Sequence, residues 1–214
     1  MGDEMTRVLS LTAALVLGLT LVASAQVGKS LGVLDANTIP EAELLKVPHI
    51  TAPIAKAIIA ARPFDSIVAL NTLLRAQGLT EQQAMEAYGK VFVHINLNTA
   101  TPEEIMLIPG AGKRMAREFA EYRPWKAWAQ FDKEIGKYVN AQEVARLAQY
   151  AFIPLNLNTA SDADLLTIPG AGQRMLREFK EYRPWKTREQ FNREIGKYVD
   201  QKEVARLARF VVIP

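Results

Sequence analysis

The chain repeats itself, and that constrains its fold more than any other feature. Asn96–Pro154 aligns with Asn156–Pro214 at a constant offset of 60 residues, with roughly 37 of 59 positions identical. Leu34–Ile95 aligns more weakly at an offset of 61: Asn37-Thr38, Pro48 and Arg62-Pro63 match Asn98-Thr99, Pro109 and Arg123-Pro124. A period this long marks one small domain copied. The 214 residues therefore divide into an N-terminal stretch, 1–28, and three units at 34–95, 96–155 and 156–214. Phe152-Ile153-Pro154-Leu155 runs straight into Asn156 without a flexible linker. Such direct joins predict a semi-rigid rod of three units.

Within a unit the signals are helical. In the second, Thr101 with Pro102 and Glu104 reads as a capping box opening a short helix. Ile105, Met106 and Ile108 face the core before Pro109-Gly110-Ala111-Gly112 breaks the helix. Met115, Phe119 and Tyr122 share one face of a second helix, which Pro124 stops. A third helix is expected near Trp128–Ile135, with a turn at Gly136, and Asn140 with Glu143 opens a fourth that buries Val144, Leu147, Ala148 and Ala151. The third unit repeats these signals with Ser161, Gly170-Ala171-Gly172, and Asp200 with Glu203; in the first, the caps are Thr38 with Glu41 and Thr80 with Gln83. The predicted class is all-α: three tandem units of about four short helices behind an N-terminal hydrophobic helix.

Composition narrows the chemistry. The chain has no cysteine and two histidines, His49 and His94, neither of which has a second histidine at ligand spacing. Thiol nucleophiles, disulfides and Cys-ligated metals are excluded. No nucleophile has a base beside it, so the expectation is of no enzyme, cofactor or metal. His49 reads as a structural or surface residue in a hairpin slot, and His94 as a connector residue. From Val8 to Gly28 run 21 uncharged residues between Arg7 and Lys29, with Val8, Leu11, Leu15, Leu17, Leu19 and Leu21 supplying the apolar bulk. That length suits a retained anchor in the inner membrane carrying periplasmic repeats. Ala23-Ser24-Ala25 also fits signal peptidase, and cleavage after Ala25 would release a soluble periplasmic chain.

Ile108–Gly112 and Ile168–Gly172, each lying between two short helices, resemble the helix-hairpin-helix motif. With the leading Asn98-Thr99-Ala100 and Asn158-Thr159-Ala160, the chain resembles the exported ComEA family, whose members bind double-stranded DNA during uptake. The fold is also similar to that of the lumenal PsbU subunit of photosystem II, a protein-binding module. The resemblance implies three tandem helix-hairpin-helix units. It also implies that Gly110, Gly112, Lys113 and Arg114 hold one phosphate, and Gly170, Gly172 and Arg174 another, at helix N-termini.

The sequence departs from that pattern. In the first unit Pro48-His49-Ile50-Thr51 lacks both hairpin glycines, so its phosphate nest is expected to be lost. Gln173 stands where the second unit has Lys113. Arg114 and Arg117 precede Glu118 and Glu121 by four residues, and Arg174 and Arg177 precede Glu178 and Glu181 likewise. These spacings favour ion pairs that dilute the local field. The overall charge of +3 resolves into −1, +1 and +3 across the three units, a weak basic stripe for a DNA-gripping protein.

Positions charged in the third unit are neutral or apolar in the second: Lys180, Arg188, Glu189, Lys202 and Arg209 correspond to Ala120, Trp128, Ala129, Gln142 and Gln149. A site that accepts arginine reads as solvent-facing. Ala120, Trp128, Ala129, Gln142 and Gln149 therefore form an expected partner surface with Trp128 exposed. The aromatics of Arg62-Pro63-Phe64, Arg123-Pro124-Trp125 and Arg183-Pro184-Trp185 are expected to plug the core of each unit. The favoured function is an anchored, exported scaffold that braces a membrane complex through other protein subunits, in a photosynthetic or other energy-transducing setting. The alternative is ComEA-like, sequence-independent binding of double-stranded DNA.

Overall fold

Helix after helix starts on a side-chain cap. A computed structural model describes residues 32–213; the apolar stretch Val8–Gly28, with Leu11, Leu15, Leu17, Leu19 and Leu21, lies outside them. The described residues are helix-rich. Thr101 accepts from the Glu104 N–H while the Glu104 carboxylate accepts from the Thr101 N–H, and Thr80 with Gln83 and Ser161 with Asp164 close the same reciprocal box. Asn140 and Asp200 accept from the N–H groups of Glu143 and Glu203. Each such cap satisfies one of the orphan donors at a helix start and contributes about 1 kcal/mol. Thr38 does not cap: Pro40 occupies the N-cap of the first helix, and no side chain bonds there.

The elements follow one order three times. The first segment is β1 (Leu34–Asp35), α1 (Glu41–Leu44), α2 (Ala52–Ala61), α3 (Ile67–Ala76), α4 (Glu81–Tyr88) and β2 (Val91–Phe92). The second is β3 (Ile95–Asn96), α5 (Pro102–Met106), α6 (Lys113–Glu121), α7 (Trp128–Ile135), α8 (Ala141–Ala148) and β4 (Ala151–Phe152). The third is β5 (Leu155–Asn156), α9 (Asp162–Leu165), α10 (Gln173–Glu181), α11 (Arg188–Ile195), α12 (Gln201–Ala208) and β6 (Val211–Val212). In each, the first strand pairs in parallel with the last, in the registers Leu34↔Val91, Ile95↔Ala151 and Leu155↔Val211. The alternating stretch Val91–Leu97 around His94 contains β2 and β3.

The Arg-Pro-aromatic step is a lock between the start of a segment and its middle. Arg123 donates from Nε to the Leu97 carbonyl and from Nη2 to that of Ala100. The Asn98 side chain makes a two-way pair with the backbone of Trp125, donating to its carbonyl and accepting from its N–H at 2.6 Å. Trp125 fills the core at 1% exposure, and its indole N–H reaches the Phe119 carbonyl. Arg183, Asn158 and Trp185 repeat every bond, and Arg62, Asn37 and Phe64 repeat the backbone part. The Asn-Thr-Ala and Arg-Pro-Trp signatures are therefore two halves of one hydrogen-bonded fastening.

The segments do not form a rod, because the third returns to the first. Arg209 donates to the Phe64 carbonyl and to the His94 carbonyl, each at 3.2 Å, and a side chain placed at Gly170 would meet Thr38 at 3.3 Å. The core of the first two segments is continuous, with the Phe92 and Tyr150 rings edge-on at 5.0 Å across their boundary. His94 lies buried in the connector, with Nδ1 donating to Asp35 Oδ2 at 3.1 Å. Burial by itself would raise the Asp35 pKa. The hydrogen bond from His94 and the field of Arg206 outweigh that effect and hold it below the ordinary carboxylate value.

A depressed folded-state pKa means that the stabilisation is complete above the unfolded value, about 3.9, and is lost as pH falls through the folded value. Asp35→Asn should therefore weaken the protein by about 1–2 kcal/mol at neutral pH. The difference from the native chain should narrow below about pH 4. Thermal melts at both pH values read this; an equal gap at both would refute the assignment.

Candidate functional site

The hairpins combine an anchored loop with an open helix end. In the second segment Ile108 and Ala111 are buried and fix the loop between α5 and α6. Gly110 takes φ 77, in the left-handed region that a side chain disfavours. A Cβ there would also come within 3.3 Å of Arg146 Nη2. Gly112 is the N-cap of α6 with extended backbone, and a Cβ there would meet nothing within 4 Å. Its role is openness: the first N–H groups of α6 have neither a helical acceptor nor a side-chain cap. Lys113 and Arg114 are exposed beside them. The third segment has the same build, with Gly170 at φ 77, Gly172 as an open N-cap of α10, and Arg174 exposed. Each end favours an anion through unpaired donors and the helix dipole.

Two arginines that the sequence reading did not single out stand behind these loops. Arg146 is held by both oxygens of Glu143 at 2.7 and 2.6 Å, with Nη2 against Gly110. Arg206 repeats this with Glu203 and Gly170, at 3% exposure and with Nη1 unpartnered. In the first segment the corresponding arrangement is reversed. His49 takes φ 64, and its Nε2 lies 2.5 Å from Glu86 Oε2. Pro53 in the first turn of α2 removes a donor N–H. A carboxylate beside the loop and a missing N–H are the physical reasons this hairpin is a poor anion site.

The expected pairs of Arg114, Arg117, Arg174 and Arg177 with glutamates four residues on do not form among the described residues. Glu118 and Glu178 are buried instead, turned towards Tyr138 and Tyr198. The guanidinium groups of Arg114 and Arg174 lie over those tyrosine rings, at 5.0 and 5.6 Å. Nearby lysines are less available, since Lys137 pairs with Glu134 and Lys197 with Glu194. Arg114, Arg117, Arg174 and Arg177 therefore keep more of their charge than the spacings imply, whereas Lys137 and Lys197 are neutralised.

The proposed partner surface divides. Ala120, Ala129 and Gln142 are exposed. Gln149 is buried, at 3% exposure, and offers no surface. Trp128 is half-buried, packed edge-on against Phe131 at 5.6 Å. The premise that an arginine marks solvent fails at two of its positions: Arg188 donates to the Ala208 and Val211 carbonyls, and Arg209 bridges segments. Carbonyls at helix and strand ends accept a half-buried guanidinium as readily as water would.

No family model matches the chain, and no solved structure matches it. A curated protein from Xenopus laevis, endonuclease/exonuclease/phosphatase family domain-containing protein 1, is 27% identical, with the match covering 42% of this chain and 21% of that protein. The chain thus spans about a fifth of the length of the curated relative it matches. That likeness corrects the expectation that the chain is no enzyme: the expectation rested on the want of a recognisable catalytic constellation, and a relative named for an endonuclease, exonuclease and phosphatase family domain removes its footing.

Proposed function

We propose that this chain binds double-stranded DNA without regard to sequence, through helix-hairpin-helix units of the ComEA kind at its second and third repeats. The observation that carries the reading is the pair of exposed, uncapped helix N-termini at Gly112 and Gly172, each beside basic residues with no acid paired to them. Lys113 and Arg114 supply charge at one end and Arg174 at the other. Gly110 and Gly170 hold the loops that present them. The relative named for a nuclease family domain supports nucleic acid as the ligand. The first unit, with its His49–Glu86 pair, takes no phosphate and instead receives the third unit through Arg209.

Binding of this kind releases counterions. The logarithm of the affinity for a duplex of mixed sequence should fall linearly with the logarithm of salt concentration, with a slope of about −2 to −4 for two hairpins taking one or two phosphates each. Fluorescence anisotropy with two unrelated duplexes measures it. Affinity that is flat in salt, or strongly different between the duplexes, would exclude this mode. An anchored subunit bracing a membrane complex is a second reading, favoured by an open apolar groove on the second unit.

A further inference from the structure

The second and third segments differ most sharply on the outer face of their first two helices. Lys113, Ala116, Arg117 and Ala120 lie at i, i+3, i+4 and i+7 along one face of α6. Pro102 and Met106, at i and i+4 on α5, stand opposite them. Between the helices runs a groove of about 640 Å³ lined by these six residues. Its floor is apolar, and Met106, expected to face the core with Ile105 and Ile108, is instead an exposed large hydrophobe at 36%. Its one wall carries Lys113 and Arg117, which have no ion-pair partner among the described residues, and no acidic side chain lines it.

In the third segment the same face is shut. Asp162 stands where the second segment has Pro102, and Lys180 where it has Ala120, and the two form an ion pair at 2.8 Å across the helices. Leu176 fills the position of Ala116. One copy spans the face with its own ion pair, while the other has neither member of that pair and carries two cations there, Arg117, which matches Arg177, and Lys113, which stands where the third segment has Gln173.

We infer that the α5–α6 groove of the second segment docks an amphipathic helix of a partner protein, with small or branched apolar side chains seated between Met106 and Ala120 and acidic residues facing Lys113 and Arg117. The commitment to this occupant rests on charge complementarity and shape. The groove's walls run about 10 Å along α6, from Lys113 to Ala120, and about 6 Å along α5, from Pro102 to Met106, a length that takes one to two turns of helix. A helix laid in a groove anchors itself with side chains at i, i+3, i+4 and i+7. A DNA backbone would bring phosphates to an apolar floor.

The test uses the protein with residues 1–214 and a fluorescein-labelled synthetic helix of about 14 residues, with leucines at i, i+3, i+4 and i+7 flanked by glutamates. The double variant Pro102→Asp with Ala120→Lys installs the ion pair that the third segment already tolerates, and leaves Gly110, Gly112 and Lys113 untouched. Expected is saturable binding of the acidic helix, weakened at least about tenfold in the double variant and in a peptide with lysines in place of glutamates. Duplex affinity of the variant should stay as in the native chain, so failure here and failure of DNA binding are separable. Equal binding of both peptides, unchanged binding by the double variant, or no binding of the acidic helix would overturn the inference. So would vesicles of anionic phospholipid binding in the peptide's place.

Discussion

Replacing Gly112 and Gly172 together by aspartate should leave the fold intact and cut duplex affinity about a hundredfold. Both glycines have extended backbone that any residue adopts, and both face open space. Aspartate is a preferred N-cap, so its carboxylate would accept from the free N–H groups of α6 and α10 and stabilise each helix by a few tenths of a kcal/mol. The same carboxylate would consume the donors that a phosphate needs and place a like charge in its seat. Losing charge-assisted hydrogen bonds worth about 1.5–3 kcal/mol at each hairpin gives roughly tenfold or more per site. Anisotropy titrations read the affinity, and thermal melts read the fold. A variant that melts no lower and binds duplex as well as the native chain would remove the hairpins from the binding surface.

Trp125→Ala should be among the most damaging single substitutions in the second segment, costing about 3–5 kcal/mol. The ring is almost wholly buried and packs against Tyr122 and Phe131, with centroids at 6.0 and 5.4 Å. Truncation empties that space and abandons the Phe119 carbonyl that the indole N–H serves. Its backbone stays fastened to Asn98, so the surroundings cannot collapse into the void. Trp128→Ala, removing a half-buried ring at the margin of the same core, should cost about 1–2 kcal/mol. Urea denaturation of the two variants compares them directly; similar losses would mean that Trp125 is not the plug.

Much of the local structure was legible. Thr101 with Glu104 and Thr80 with Gln83 are short-range signals whose partners lie three residues apart, and both form as written; Ser161 also caps, with Asp164 as its partner. The buried aromatics after Arg-Pro follow from the helix ending where proline removes an N–H. What could not be read depends on distant partners. Arg209 looks like a surface charge until the Phe64 and His94 carbonyls are brought beside it. The spacing from Arg114 to Glu118 favours a pair, but Glu118 lies on the inner face of α6, where Tyr138 waits. Thr38 has the composition of a cap, yet Pro40 takes the position. At the candidate site the glycines and basic residues were visible, while Arg146 and Arg206 behind them were not, since helices remote in sequence deliver them.

The strand pairs carry a consequence for how such a chain can lengthen. Because the first and last strands of each segment lie side by side, the chain leaves a segment about 5 Å from where it came in. Another segment of the same build would enter and leave through a strand pair of its own, as a further loop is added to a cord already knotted at its base. Arg209 works against such growth. By clasping Phe64 and His94 it turns the end of the third segment back to the beginning. A segment inserted between the first and the third would part Arg209 from the Phe64 and His94 carbonyls and leave both without that donor.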